Sequence, residues 1–401
     1  MKKKHIALLI TPRPEYGGMF QYAAAVLDAL AELDPSKYRV SVCSPQSAWR
    51  RRARAKGLRA MPIPRFFHGK IRNILAKIPI IPAREHLLAL WDAVSPLRLL
   101  ALLLKMDTIL FSQPQYMELP GNIPQIGCIH DLMHRYEPGF PEAGDPQEFA
   151  WREQLYKGIV GHCHAILVDS ETGKNHVREA YGAEPAQIFV LPYAIRGSLK
   201  SAAPVRPSNL PSGVEDGFLF YPAQFWLHKN HQRLVEAVAR LSPRLDIHCV
   251  FSGDTRKNGY APFCERVAKL GLRDKVHCIG YVSESGIAWL YRHARCMVMP
   301  TFFGPTNIPP LEAMHFGCPV GVSGIYGMPE QLGDAPLYFN PRSVDEIADV
   351  IAQLYENRQL RERCIENGFA VAALHEDKQF SLRMSQIIDD VFASNDKRKY
   401  R

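Results

Sequence analysis

No two of the nine cysteines stand at C-x-x-C spacing, and their intervals follow no pattern. Scattered cysteines without a leader fit a reducing compartment. The cluster His162-Cys163-His164 resembles a ligand set, but neighbours alternating along a strand point to opposite faces, which argues against a metal site. Long apolar runs are also missing. None approaches the roughly 18 residues needed to span a bilayer. The run Ile6 to Ile10 follows lysines, yet five residues are too few for a signal peptide, and Thr11-Pro-Arg-Pro-Glu15 comes next. It reads as a first buried strand, and a cytosolic location is expected. The first strand–helix turn lacks G-x-G-x-x-G and no acidic residue ends the second strand, which disfavours a nicotinamide-type dinucleotide site. Repeats and low-complexity tracts are absent.

What is present is an ordinary globular composition, 47% hydrophobic and 22% charged over 401 residues. That length suits two domains of roughly 150–200 residues. The net charge of +9 is unevenly placed. Arg50, Arg51, Arg52, Arg54, Lys56, Arg59, Arg65, Lys70 and Arg72 follow one another with no acidic residue between Trp49 and Arg72. A leucine-rich stretch from Glu85 to Lys105 comes after it. Together they fit peripheral docking on an anionic membrane. A solvated basic face beside core helices fits equally. Nucleic acid is disfavoured: only Phe66 and Phe67 offer rings for stacking and no binding motif accompanies the charge.

Short apolar strands alternate with helices along the chain, which argues for parallel, doubly wound sheets. Strands are expected at Ile6–Ile10, Tyr38–Ser44, Asp107–Ser112, Pro124–His130, Ala165–Asp169 and Gln187–Leu191. The proline-containing segment 197–216 reads as a linker. A second set follows at Phe218–Tyr221, Ile247–Ser252, Val276–Ile279 and Cys296–Met299. The expected organisation is a first domain over 1–196, a second over 217–375, and a terminal segment 376–401. The amphipathic part of that segment, Asp377 to Phe392, is long enough to return to the first domain.

The stretch Thr301 to Val322 carries the most chemistry. It reads as a strand end, a tight loop, a helix opened by Pro309 and Pro310, a stop at Gly317, then a strand. Such a loop aims the N–H groups of Thr306, Asn307 and Ile308 from a helix N-terminus, where an α/β sheet receives phosphate. Glu312, one turn in, suits a hydroxyl on whatever carries that phosphate. Gly17 and Gly18 follow the first strand and let a ligand approach the backbone; an ordinary Gly-Gly turn is the alternative. Lys229 stands at a strand–helix junction beside Gln224, Trp226 and His228, placed to neutralise a diphosphate or simply to face solvent. His130, oriented by Asp131, suits a sugar hydroxyl; the two residues are equally a capping pair at a strand end. Tyr281 and Val282 sit in a turn whose backbone can hold a base edge, and on its own this is only a turn.

The ordered set Gly17-Gly18, His130-Asp131-Leu132, Lys229-Asn230, Gly280-Tyr-Val282 and Pro309-Pro-Leu-Glu-Ala-Met-x-x-Gly-x-Pro319 resembles retaining glycosyltransferase family 4 over essentially the whole chain. The resemblance implies a GT-B fold, two Rossmann-like domains facing a cleft. It also implies transfer from a nucleoside-diphosphate sugar, a GDP-mannose type being slightly favoured over UDP sugars. The acceptor would be a hydroxyl of a polysaccharide or lipid-linked oligosaccharide. In that reading His130, Lys229 and Glu312 are catalytic, the nucleotide sugar is a substrate rather than a cofactor, and no metal is needed. Two positions depart from the family. Gly304 occupies the place of the first glutamate of E-x7-E, and Gln224 that of an arginine five residues before the lysine. A nucleotide-sugar epimerase and a non-catalytic nucleotide-sugar-binding subunit are the rivals.

Overall fold

The computed structural model describes residues 3–14, 17–63, 105–117, 123–215 and 217–399. The distal basic residues Arg65, Lys70 and Arg72, the rings of Phe66 and Phe67, and most of the leucine-rich stretch lie outside these residues.

Seven parallel strands form the first sheet: β1 Lys4–Leu9, β2 Tyr38–Ser44, β3 Arg59–Pro62, β4 Thr108–Phe111, β5 Gln125–Cys128, β6 Ala165–Val168 and β7 Ile188–Val190. Their order is β3-β2-β1-β4-β5-β6-β7. The central strands are short, wholly buried apolar runs, as a parallel sheet covered on both faces requires. Alternation along β1 shows this directly. Ile6 and Leu8 join one core cluster, with Tyr22, Val26 and Leu27 of the Gly18–Ala31 helix, while Ala7 and Leu9 join another, with Ile109 and Phe111.

The second sheet holds β8 Leu219–Pro222, β9 Cys249–Ser252, β10 Val276–Cys278, β11 Cys296–Met299, β12 Val320–Ser323 and β13 Leu337–Phe339, in the order β10-β9-β8-β11-β12-β13. Its pairings are parallel too; Met297, Val298 and Met299 lie opposite Val320, Gly321 and Val322. In both sheets the strand order reverses beside the first strand, between β1 and β4 and between β8 and β11. Loops leaving the carboxyl ends of these strands splay apart there and open a crevice.

Segment 197–215 is no loose tether. Leu199, Leu210 and Val214 are buried in the core of the second sheet. The chain crosses back near His375, whose Nδ1 lies 2.7 Å from the Tyr193 carbonyl. The Asp377–Lys399 helix then buries Phe380, Met384, Ile387, Ile388 and Val391 in the first core. That i, i+4, i+7, i+8, i+11 spacing is one stripe of a helix. The His162-Cys163-His164 cluster does not lie in a strand: His162 ends the Pro146–His162 helix and stacks on Tyr116, while Cys163 is buried.

Candidate functional site

The loops after β8 and β11 are fastened together before either meets a ligand. Asn230 adopts a left-handed conformation, φ 61°, and its side-chain amide donates to the carbonyls of Pro300 (2.9 Å) and Pro341 (2.8 Å). The Tyr221 hydroxyl donates to the Lys229 carbonyl at 3.0 Å, and the Phe302 N–H donates to the His228 carbonyl at 2.9 Å. The His228 ring lies flat on Phe303, centroids 3.9 Å apart. This frame fixes the backbone from which Lys229 projects.

Lys229 lines a cavity of about 460 Å³ together with Asp131, Glu142, Arg152, Trp226, His228, Phe303, Gly304 and Asn307. Asp131, Glu142 and Arg152 come from the first domain and the rest from the second, so the cavity is the interdomain crevice. Its size is within the range of small-ligand sites. Burial pushes the Lys229 ammonium down to about 8, against the pull of Asp131. No hydrogen bond or ion pair to Nζ occurs among the described residues. A half-buried cation without a partner is a costly arrangement that an incoming anion relieves. His228 is held to about 4 by burial, opposed by Glu142, and is therefore neutral.

The other residues singled out in the sequence fall in different places. Gly17 faces the second domain: a Cβ there would stand 3.7 Å from Gln224 Nε2. Gly18 begins the first helix. His130 lies outside the cavity lining, edge-on to Tyr22 at 4.7 Å, with Tyr193 Oη 3.4 Å from Nδ1. Burial lowers it to about 4. Asp131 does not orient it. Its Oδ1 accepts from the Met133 N–H (3.0 Å) and Arg152 (3.4 Å) instead, because the two side chains diverge where β5 ends. Tyr281 is 62% exposed and Val282 packs on the second core, and neither lines the cavity.

The helix N-terminus is less open than the sequence suggests. The Asn307 N–H is taken by Gln331 Oε1 at 3.0 Å. Thr306 and Ile308 are buried, and the Thr306 hydroxyl donates to Asp169 of the first domain. Glu312 does not reach the cavity either. Only 4% of its side chain is exposed, and it pairs with Arg196 at 2.6 Å and accepts from the Tyr291 hydroxyl at 3.3 Å. Among residues at the site, Glu142, Arg152 and Arg196 carry no mark in the sequence. They sit in the first domain's connections and acquire meaning only through the way the domains meet.

Further contacts join the domains around the crevice. Glu142 Oε1 accepts the Leu227 N–H at 2.7 Å. Glu330 accepts from the N–H groups of Glu171 (2.6 Å) and Thr172 (3.0 Å), at the N-terminus of the Glu171–Tyr181 helix. Glu137 accepts from Tyr326 (3.1 Å) and Arg342 (3.0 Å).

Two parallel doubly wound sheets with a crevice between their carboxyl edges, and a last helix returning to the first, define the GT-B class of glycosyltransferases. Known proteins agree. The family description Glycosyltransferase Family 4 matches residues 16–196, and Glycosyl transferases group 1 matches residues 207–371. The chain belongs to the family 4, group 1 glycosyltransferases. O-antigen chain mannosyltransferase B of Escherichia coli is 38% identical over 106 residues, 26% of each chain. MMP alpha-(1->4)-mannosyltransferase of Mycolicibacterium hassiacum is 24% identical over 54% of this chain and 51% of its own. The chain thus spans from about a quarter to about half the length of these relatives. The crystal structure of Anabaena Alr3699/HepE in complex with UDP-glucose superposes with a TM-score of 0.69 at 15% identity, covering 96% of this chain and 99% of that one, and shows the shared fold.

Proposed function

We propose that this protein transfers a hexosyl group, mannosyl being favoured, from a nucleoside-diphosphate sugar to a hydroxyl of a glycan or lipid-linked glycan acceptor. The observation that carries this reading is Lys229: a half-buried ammonium without a hydrogen bond or ion pair among the described residues, at the second sheet's switch point, in a crevice shared with the first domain. The mannosyltransferase names of both relatives support the sugar, and the preference for a GDP donor over a UDP donor rests on the family resemblance of the sequence.

Lys229 takes up the negative charge that grows on the leaving diphosphate, acting in a crevice from which closure excludes water. Asn307 lines the same cavity and contributes its side chain. The acceptor hydroxyl attacks from the face the diphosphate leaves, its proton passing to that diphosphate, so the anomeric configuration is retained. The protein supplies positioning and electrostatics rather than a nucleophile. Glu312 enters through its pairing with Arg196, and its contact with ribose hydroxyls requires sharing the carboxylate with that guanidinium. His130 and the turn at Tyr281 and Val282 lie outside the Lys229 cavity, and their proposed roles, a hydroxyl partner for the sugar and a hold on the base, require a donor that extends beyond it. Lys229 provides the counter-charge, so turnover persists in chelator.

Peripheral contact with an anionic membrane is proposed for the basic segment. Arg52 and Lys56 already pair with Asp28, which leaves exposed Arg51, Arg54 and Arg59 to carry it among the described residues. No helix of the described residues is long and apolar enough to cross a membrane. A panel of GDP and UDP sugars, scored for release of the nucleoside diphosphate with and without glycan acceptors, tests the proposal. Release from GDP-mannose with retention in the product is expected, and no release from any donor overturns it.

A further inference from the structure

Two carboxylates line the crevice, and they are held differently. Asp131 Oδ1 is shared between the Met133 N–H and Arg152. Glu142 differs. Its Oε1 accepts the Leu227 N–H at 2.7 Å and lies 3.7 Å from His228 Nδ1. Its Oε2 is buried with no hydrogen-bond partner, on a side chain only 9% exposed. A buried carboxylate oxygen without a donor is costly, and a donor arriving from a ligand recovers that cost.

The loop across the crevice has no acidic side chain, and its Gly304 has no room for one. Gly304 has φ +92°, and a Cβ there would stand 2.8 Å from the Thr306 carbonyl and 2.9 Å from Asn307 Nδ2. Both carboxylates that line this cavity, Asp131 and Glu142, are therefore delivered by the opposite domain.

We infer that Glu142 recognises the transferred sugar, its Oε2 accepting a hydroxyl hydrogen of the hexose while Lys229 holds the diphosphate. This rests on the function proposed above. The chemistry of the ligand decides the assignment within it. Diphosphate oxygens only accept hydrogen bonds and repel a carboxylate, whereas a hexose presents several hydroxyl donors. Glu142 is also tied to Leu227, two residues before Lys229, so the grip on the sugar and the grip on the diphosphate form together when the domains meet.

Glu142→Gln separates this role from a purely structural one. The amide keeps an oxygen for the Leu227 N–H and puts an NH2 where the hydroxyl acceptor stood. Affinities for bare GDP and UDP, and kcat/KM for GDP-mannose and UDP-glucose, are compared with wild type, with Glu142→Ala alongside. The expected result is a fall in kcat/KM of about 10- to 100-fold on the better donor, the scale of one hydrogen bond to a charged acceptor. Bare nucleotide affinity should stay within about two-fold and the melting temperature should hardly change. Wild-type kcat/KM in Glu142→Gln overturns the inference while leaving the glycosyltransferase reading intact. Equal losses for bare nucleotide and nucleotide sugar also overturn it, since Glu142 would then act on the base or on closure. If wild type turns over no donor at all, the proposed function fails first and takes this inference with it.

Discussion

A lysine whose ammonium is pushed down to about 8 by burial is charged below that pH and neutral above it. Its attraction for a diphosphate therefore weakens as pH rises through about 8, and kcat/KM for the donor should fall along the same limb. Stability moves the other way. Between about 8 and the unfolded value near 10.4 the unfolded chain binds more protons than the folded one, so stability rises with pH across that window. Lys229→Met removes both effects. Donor kcat/KM should drop at least about 10-fold, the scale of one charged contact, while the melting temperature rises at neutral pH. A variant that loses stability and keeps turnover would show that Lys229 is structural. Glu312 behaves as the opposite case. Its removal leaves Arg196 unpaired apart from a 3.4 Å contact with Glu284. Glu312→Ala should cost about 3 kcal/mol in urea denaturation, the scale of a broken buried pair, and lower turnover at least about 10-fold. Much of the stability loss should return in the double variant with Arg196→Met.

At the scale of elements, the last helix is held by its apolar stripe. Ile388 is fully buried among residues of the first core, and Ile388→Ala should cost about 2–5 kcal/mol, read by chemical denaturation. The same stripe is visible in the sequence, because a 3.6-residue period needs no tertiary information. The strands of both sheets are legible for a similar reason: buried parallel strands are continuous apolar runs bounded by polar turns. The β3 strand and the β13 strand are not, since Arg59–Pro62 and Leu337–Phe339 each lie at a sheet edge with a partly exposed surface and lack that contrast. The site divides along the same line. Lys229 and Asn307 follow from strand–loop–helix grammar, which places them at carboxyl ends of strands. The engagement of the Asn307 N–H by Gln331 and of Glu312 by Arg196 could not be read. Those partners are 24 and 116 residues distant, and only packing brings them close. Gly304 illustrates the limit well, because its departure from the family is plain in the sequence while Glu142 opposite it is not.

For the whole molecule, the two domains meet through carboxylates that approach backbone N–H groups or hydroxyls of the other side. Asp169 is the most buried of these, raised to about 7 by burial, with the Thr306 and Ser170 hydroxyls opposing the shift. The folded protein thus binds the extra proton between about 4 and 7, and this contact's contribution falls as pH rises through that interval. Glu330 is exposed by contrast, and it acts where the Glu171–Tyr181 helix presents unsatisfied N–H groups, so its negative charge also meets the positive end of the helix. These contacts are small individually, and together they hold a crevice that a donor must enter. Opening must therefore break several of them at once, and weakening one should shift the balance without unfolding either domain. Glu330→Ala should speed hydrogen exchange at the Glu171 and Thr172 amides and enlarge the radius of gyration in solution scattering. Addition of a nucleoside diphosphate should reverse the second change, because an anion bound to Lys229 also attracts Arg152, which the first domain contributes to the same cavity. Unchanged exchange and scattering in this variant would mean that the domains are held by their apolar contacts, such as Phe140 against Phe302 and Phe303 at 5.1 and 5.4 Å, rather than by the carboxylates.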